Sequence, residues 1–382
     1  MSSTLFDDIR QKVWLHDGQR SISQLTGIFE PYQRVLLVYD EGAFVLCGAE
    51  AFLKPVLTGC EVVSYPINFT LPSVERLQRA MKALPLTNMD AIVAVGGGTT
   101  IDFAKLLRYF GGGSVSHAQS IEEQVRVPLK IPLVSIPTTS GSGSEATPFA
   151  VLYVDGVKHS IAHDSVLPDF VYLYPLLTST LPKKQRAATG LDALCQGIES
   201  YWSVNATGDS QELSRKAILG AKNYLAQHVN NPDDASREGM VIASHLAGKA
   251  IAQAKTTVCH ALSYTMTFRY GIPHGIAVAL TLGRVLVYNA AVTDDDVLDP
   301  RGAEYVRHSM HDIVGLLGYA NPEEASLGIN TLLDSIVGGH TLSYFGVHPE
   351  EDKLYISNTV NLERLKNNPR RVTQNALMEF LM

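Results

Sequence analysis

The chain has 382 residues, with 31 Lys+Arg against 38 Asp+Glu and a formal net charge of −7. Its basic residues are scattered, which excludes nucleic acid as a partner, because no run of them can neutralise a phosphate backbone. No uncharged stretch approaches the roughly 20 residues of a membrane span, and Met1–Asp8 has neither a basic nor an apolar leader segment, so the reading is a soluble cytoplasmic protein without membrane contact.

Hydrophobic residues make up 46% and charged residues 18%, a core-forming composition, and the length predicts two domains. Short apolar runs alternate with helical patterns in the first half. Arg34–Asp40, Glu61–Tyr65, Ala91–Val95, Leu133–Pro137 and Phe170–Leu173 read as strands of a parallel sheet covered on both faces. Pro72–Leu84 has helical spacing, with Pro72 suited to the first turn. Asp155-Gly156 inside Val151–Lys158 signals a two-residue hairpin. Past residue 182 the strand-like runs largely stop. Helical spacing takes over in 188–204, 213–228, 240–251, 301–317 and 322–337. The predicted architecture is an α/β dinucleotide-binding domain with a parallel sheet, residues 1–182, and an all-α domain, residues 183–382. A ligand site is expected in a cleft between them. Cys47, Cys60, Cys195 and Cys259 share no metal or disulfide spacing and read as buried small hydrophobes in a reducing compartment.

Two loops at strand ends suit a nucleotide. Gly96-Gly97-Gly98-Thr99-Thr100 follows a strand and opens a helix, so backbone can approach a pyrophosphate at the helix N-terminus. Thr99 or Thr100 can cap that helix, and Asp102 can cap or polarise its first turn. It is not the GxGxxG fingerprint, and a plain tight turn is the competing reading. The second loop, Pro137–Thr147, carries six hydroxyl residues and two glycines, and competes with a flexible linker. Asp40 ends a strand, where an acid suits a ribose hydroxyl pair and repels a 2′-phosphate, although acids are common at such positions.

In the second half, Asp192 and Gln196 stand at i and i+4 on one helix face. His260 and His274 follow on separate segments, with Gly271 and Pro273 breaking one helix and placing His274 at the start of the next. A carboxylate, an amide oxygen and two imidazoles can surround a divalent cation, while satisfied structural histidines are the simpler reading of the pair alone.

These four pieces, in this order and with Asn368-Pro369-Arg370-Arg371 near the C-terminus, resemble the iron-containing (group III) alcohol dehydrogenases over nearly the whole chain. The resemblance implies a dehydroquinate synthase-like two-domain plan and reduction of a small-molecule aldehyde by a nicotinamide cofactor. A divalent metal, Fe²⁺ or Zn²⁺, would assist, in a homo-oligomer read as a dimer. Asn68, Gly97, Gly98, Thr99, Thr138, Thr139 and Lys158 match cofactor-contacting positions, Asp102 is grouped with them, and Asp40 falls where an acid favours NAD(H) over NADP(H). Asp192, Gln196, His260 and His274 match the metal ligands, but Gln196 stands where the family usually has histidine and is the weaker donor.

Tyr264 stands where relatives carry a histidine near the substrate, which implies either a proton relay or a packing ring. Lys255-Thr256-Thr257, read as one helical turn before His260, could hold an anionic substrate tail, with help from Arg269, or could be a solvated helix end. This combination is similar to the phosphonoacetaldehyde reductase branch, which forms 2-hydroxyethylphosphonate. A polyol dehydrogenase is the near alternative. A dehydroquinate-synthase-like cyclase or a non-catalytic NAD-binding protein would show no net NADH turnover.

Overall fold

The computed structural model describes residues 10–116, 124–155, 157–348 and 350–382, so Met1–Asp8 and the hairpin residue Gly156 lie outside the described residues. The chain divides into two compact units, residues 1–139 with 144–180, and residues 140–143 with 181–382.

The first unit is built on a parallel sheet of β1 (Lys12–Leu15), β2 (Arg34–Asp40), β3 (Glu61–Ile67), β4 (Ala91–Gly96), β5 (Leu133–Pro137) and β8 (Phe170–Leu173), in the order β1-β8-β5-β4-β2-β3. Alternate side chains of the central strands feed two cores. Leu36, Val38, Ile92 and Ala94 pack with Leu77 of α3 (Val74–Ala83) and Phe103 of α4 (Gly98–Phe110). Val35, Leu37, Ala91 and Val93 pack with Leu25 of α1 (Gln19–Phe29) and Leu53 of α2 (Ala49–Val56). The strict two-residue period sends successive residues to opposite faces, which is why these strands read as continuously apolar. A separate antiparallel pair, β6 (Phe149–Val154) and β7 (Val157–Ala162), forms the expected hairpin.

Two local expectations are corrected. The edge strand β1 has only four residues, no more than half-buried, and its short pattern gave no clear period. Helix α3 begins after Ser73, whose side chain accepts from Arg76 N, so Pro72 precedes the cap and is not in the first turn.

The second unit is helical: α5 (Lys183–Trp202), α6 (Gly208–Asn230), α7 (Asp234–Ala254), α8 (Val258–Tyr270), α9 (His274–Ala290), α10 (Ala303–Leu317), α11 (Pro322–Ile336), and the shorter α12 (Glu350–Asn358), α13 (Leu362–Leu365) and α14 (Gln374–Phe380). Helix α5 is buried on all sides from Gly190 to Trp202. Its polar side chains therefore have no water to turn to and must find partners inside the protein. No helix among the described residues is long and apolar enough to cross a membrane.

Candidate active site

Parallel strands place their carboxyl ends along one edge, and that edge gathers most of the candidate nucleotide residues. Asp40 closes β2 in register with Ile67, the last residue of β3, and the exposed Asn68 follows. Gly96 of β4 pairs with Pro137 of β5, and Thr138 N donates to Gly96 O at 3.0 Å. The chain runs outward from β2 to β3, then returns to β4 on the other side of β2 and continues to β5. This reversal is the switch point at which open α/β sheets bind ligands.

The first-turn caps differ from expectation. Gly97 is the N-cap of α4 and provides no side-chain hydrogen bond, so neither Thr99 nor Thr100 caps. Thr99 Oγ1 instead donates to Thr70 O at 2.9 Å. The N-terminal N–H groups of α4 thus lack a side-chain acceptor, as an anion-accepting helix end requires. Asp102 does not cap either. Its Oδ1 accepts from Ser144 Oγ and its Oδ2 accepts from Val151 N at 3.0 Å. One turn on, the fully buried Lys105 donates to the carbonyls of Ser144 (2.5 Å), Thr147 (2.9 Å) and Phe149 (2.7 Å). Burial lowers the Lys105 pKa to about 8, against the opposing pull of Asp102 and Glu145. Asp102 and Lys105 therefore tie α4 to the end of the hydroxyl loop and the start of β6. Lys158, half-buried on β7 opposite Tyr153, lies within electrostatic range of Asp102.

In the helical unit, Asp192 and Gln196 come from α5, His260 from α8, and His274 is the first residue of α9. Gly271 ends α8 at φ 66, a left-handed conformation that glycine adopts without strain, and Pro273 precedes α9 as expected. Carboxylate and imidazole donor atoms of Asp192, His260 and His274 lie within 4.8 Å of one another. His260 Nε2 is 3.3 Å from Asp192 Oδ1. Ser263 Oγ donates to His260 O at 2.8 Å and lies 3.2 Å from His274 Nδ1. Taking up the Nδ1 hydrogen there leaves Nε2 of His274 as the donor atom. Gln196 gives its Nε2 hydrogen to Ser142 O at 3.3 Å, and its buried Oε1 has no partner. A carboxylate and two imidazoles with converging donor atoms fit a divalent cation, and the buried Gln196 oxygen, one helical turn from Asp192, has no other partner.

A glycine lets these helices meet. A Cβ on Gly275 would strike Ala188 O and come within 2.7 Å of Asp192 N, so only a bare backbone brings α9 this close to α5.

Glu199 was not singled out from the sequence, yet it is the most connected acid of the site. It sits one further turn along the Asp192–Gln196 face and is fully buried. Its Oε1 accepts from Thr257 Oγ1 (2.5 Å), Thr257 N (3.2 Å) and Cys259 N (3.0 Å), and its Oε2 pairs with His260 Nδ1. Burial opposes the charge on both acids. Their contacts with His260 nonetheless hold Asp192 and Glu199 below the ordinary carboxylate range, with His274 helping at Asp192. Burial likewise disfavours the imidazolium of His260, but Glu199 and Asp192 outweigh it and push its pKa up to about 10.

The anion-holding turn is corrected. Helix α7 runs to Ala254 and α8 starts only at Val258, so Lys255-Thr256-Thr257 is a linker and shares no helix face with His260. Lys255 is exposed at φ 64, and the Thr257 hydroxyl is taken up by Glu199 and Trp202. Arg269 lies 4.0 Å over the ring of Tyr355. Tyr264 is half-buried and stacks on His274 with ring centroids 6.0 Å apart. Cys195 and Cys259 are buried, as is Cys47, while Cys60 is only half-buried; all four are free thiols.

Comparison with known proteins matches residues 14–175 to the family described as iron-containing alcohol dehydrogenase, and residues 186–382 to the C-terminal part of the Fe-containing alcohol dehydrogenase family. A phosphonoacetaldehyde reductase of Streptomyces viridochromogenes is 34% identical over 324 residues, 82% of this chain and 80% of its own. The solved iron-containing alcohol dehydrogenase of Thermococcus thioreducens superposes with a TM-score of 0.83 at 26% identity, covering 97% of both chains. A sulfoacetaldehyde reductase of Bifidobacterium kashiwanohense, solved in complex with NAD⁺, gives a TM-score of 0.79 at 25% identity over 97% of this chain and 96% of its own.

Proposed function

Because the chain belongs to the iron-containing alcohol dehydrogenase family, we propose that it reduces a short anionic aldehyde to the primary alcohol with NADH, phosphonoacetaldehyde to 2-hydroxyethylphosphonate being the best candidate. The observation that carries this reading is the convergence of Asp192, His260 and His274, whose donor atoms lie within 4.8 Å of one another, with Gln196 one helical turn from Asp192 and its Oε1 buried without a partner. These four residues would hold the divalent cation, which when bound supplies Lewis-acid polarisation of the carbonyl oxygen. The nicotinamide supplies hydride. Asp40, Asn68, Gly97, Gly98, Thr99, Thr138 and Thr139 would hold the dinucleotide, and Asp40 disfavours a 2′-phosphate. The stacking of Tyr264 on His274 supports a proton-relay role for its hydroxyl as the alcohol oxygen gains its hydrogen.

The anionic substrate is supported by the two named reductases, of phosphonoacetaldehyde and of sulfoacetaldehyde, each an aldehyde carrying a tetrahedral anion. The test is NADH oxidation against a panel of neutral and anionic short aldehydes, with metal content measured on the same sample. Faster turnover of phosphonoacetaldehyde than of acetaldehyde or propanal is expected. Equal rates remove the anionic reading, and full activity in metal-free protein removes the metal.

A further inference from the structure

We propose that Glu199 is the positioning residue that aims His260 at the metal, an inference that rests on the metal reading above. A fully buried carboxylate is costly unless every lone pair is used. Here the uses divide cleanly between its two oxygens. Oε1 serves the start of α8, accepting from Thr257 N, Cys259 N and Thr257 Oγ1. The direction of the last bond is fixed, because Thr257 Oγ1 already accepts from Trp202 Nε1 at 2.8 Å and so has its own hydrogen to give. Thr257, the N-cap of α8, makes no side-chain cap of its own, and the acid from α5 replaces it with a negative charge at the positive end of the helix. Oε2 is then left for a single task, the Nδ1 hydrogen of His260. With Nδ1 committed as a donor, the lone pair that can ligate is on Nε2, the nitrogen that lies 3.3 Å from Asp192 Oδ1.

This division makes Glu199→Gln informative. The amide is close to isosteric, and its oxygen can keep the three donors of α8. Its NH₂ then occupies the place of Oε2 and donates to His260 Nδ1, which forces the ring hydrogen onto Nε2 and removes the ligating lone pair. Thr257→Val is the matching control, since it strips a hydroxyl from the same carboxylate without touching His260.

The experiment measures Zn²⁺ and Co²⁺ affinity of the full chain by chelator competition, alongside NADH affinity and thermal melting of the metal-free protein. The expected result is a loss of metal affinity of about 10- to 100-fold in Glu199→Gln with NADH binding unchanged, and wild-type metal affinity in Thr257→Val with a lowered melting temperature. Wild-type metal affinity in Glu199→Gln, or an equal loss in Thr257→Val, overturns the assignment while leaving the metal reading intact. Wild-type protein that binds neither ion overturns both. Should Glu199→Gln fail to fold, ¹⁵N-histidine spectra of the wild-type protein loaded with ¹¹³Cd²⁺ decide. Coupling of cadmium to His260 Nε2 is expected, and coupling to Nδ1 overturns the assignment.

Discussion

Each unit of this molecule organises its candidate site with one fully buried charge, and the two charges are opposite. In the α/β unit, Lys105 gathers the carbonyls of Ser144, Thr147 and Phe149 and fixes the end of the hydroxyl loop and the start of β6. In the helical unit, Glu199 gathers the N–H groups of Thr257 and Cys259 and fixes the start of α8. A cation answers a loop that has lost its sheet partners and shows surplus acceptors. An anion answers a helix start that shows surplus donors. The sign of the buried charge follows from which backbone groups the neighbouring element leaves unpaired.

That contrast can be broken on one side at a time. His274→Ala should abolish bound metal and lower turnover by more than about a thousandfold, as loss of a ligand to an essential Lewis acid does, with NADH affinity unchanged; metal analysis and NADH binding on one sample check it. Lys105→Met should do the reverse. Three buried carbonyls lose their donor, and a loss of about 3–5 kcal/mol in unfolding free energy is expected, with weakened NADH binding and intact metal affinity.

The helical unit also holds a group that breaks the pattern. His228 is fully buried and neither ring nitrogen has a partner. Burial, aided by Arg186 and Arg237, lowers its pKa to about 4. Between the unfolded value near 6.5 and 4 the unfolded chain binds more protons, so stability rises with pH through this window and is lost as pH falls through it. The loss amounts to about 3 kcal/mol by pH 4. Denaturant melts of His228→Phe from pH 7 to pH 4 should show a shallower acid loss than wild type; parallel curves would clear His228 of this role. The smallest effect is expected at Asp40, where Asp40→Gly should shift the NADH-to-NADPH preference by about tenfold in kcat/KM, read in initial-rate assays with both cofactors.

How much of this was legible depended on the range of the signal. The glycine turn before α4, the Asp192–Gln196 spacing and the Gly271–Pro273 break are carried by neighbours in sequence, and each was readable. Glu199 and Lys105 take their meaning from backbone groups about 40 to 60 residues away, which no local pattern encodes. In sequence they look like ordinary charged helix residues. The start of α8 was hidden for a different reason. Lys255 occupies a left-handed position without glycine, proline or asparagine to announce it, so Lys255-Thr256-Thr257 read as a turn of the helix that carries His260.

Gly275 turns a missing methyl group into a gauge of ion size. It follows a candidate ligand directly and rests against the backbone of the helix that carries two more. Any side chain there must lift α9 away from α5, moving His274 outward from Asp192 and Gln196. The enlarged ring of donors would suit a wider cation such as Mn²⁺ better than Zn²⁺, whose bonds to nitrogen and oxygen are only about 2.0–2.2 Å long. A residue that touches none of the candidate ligands' donor atoms thus limits how far apart those ligands can stand.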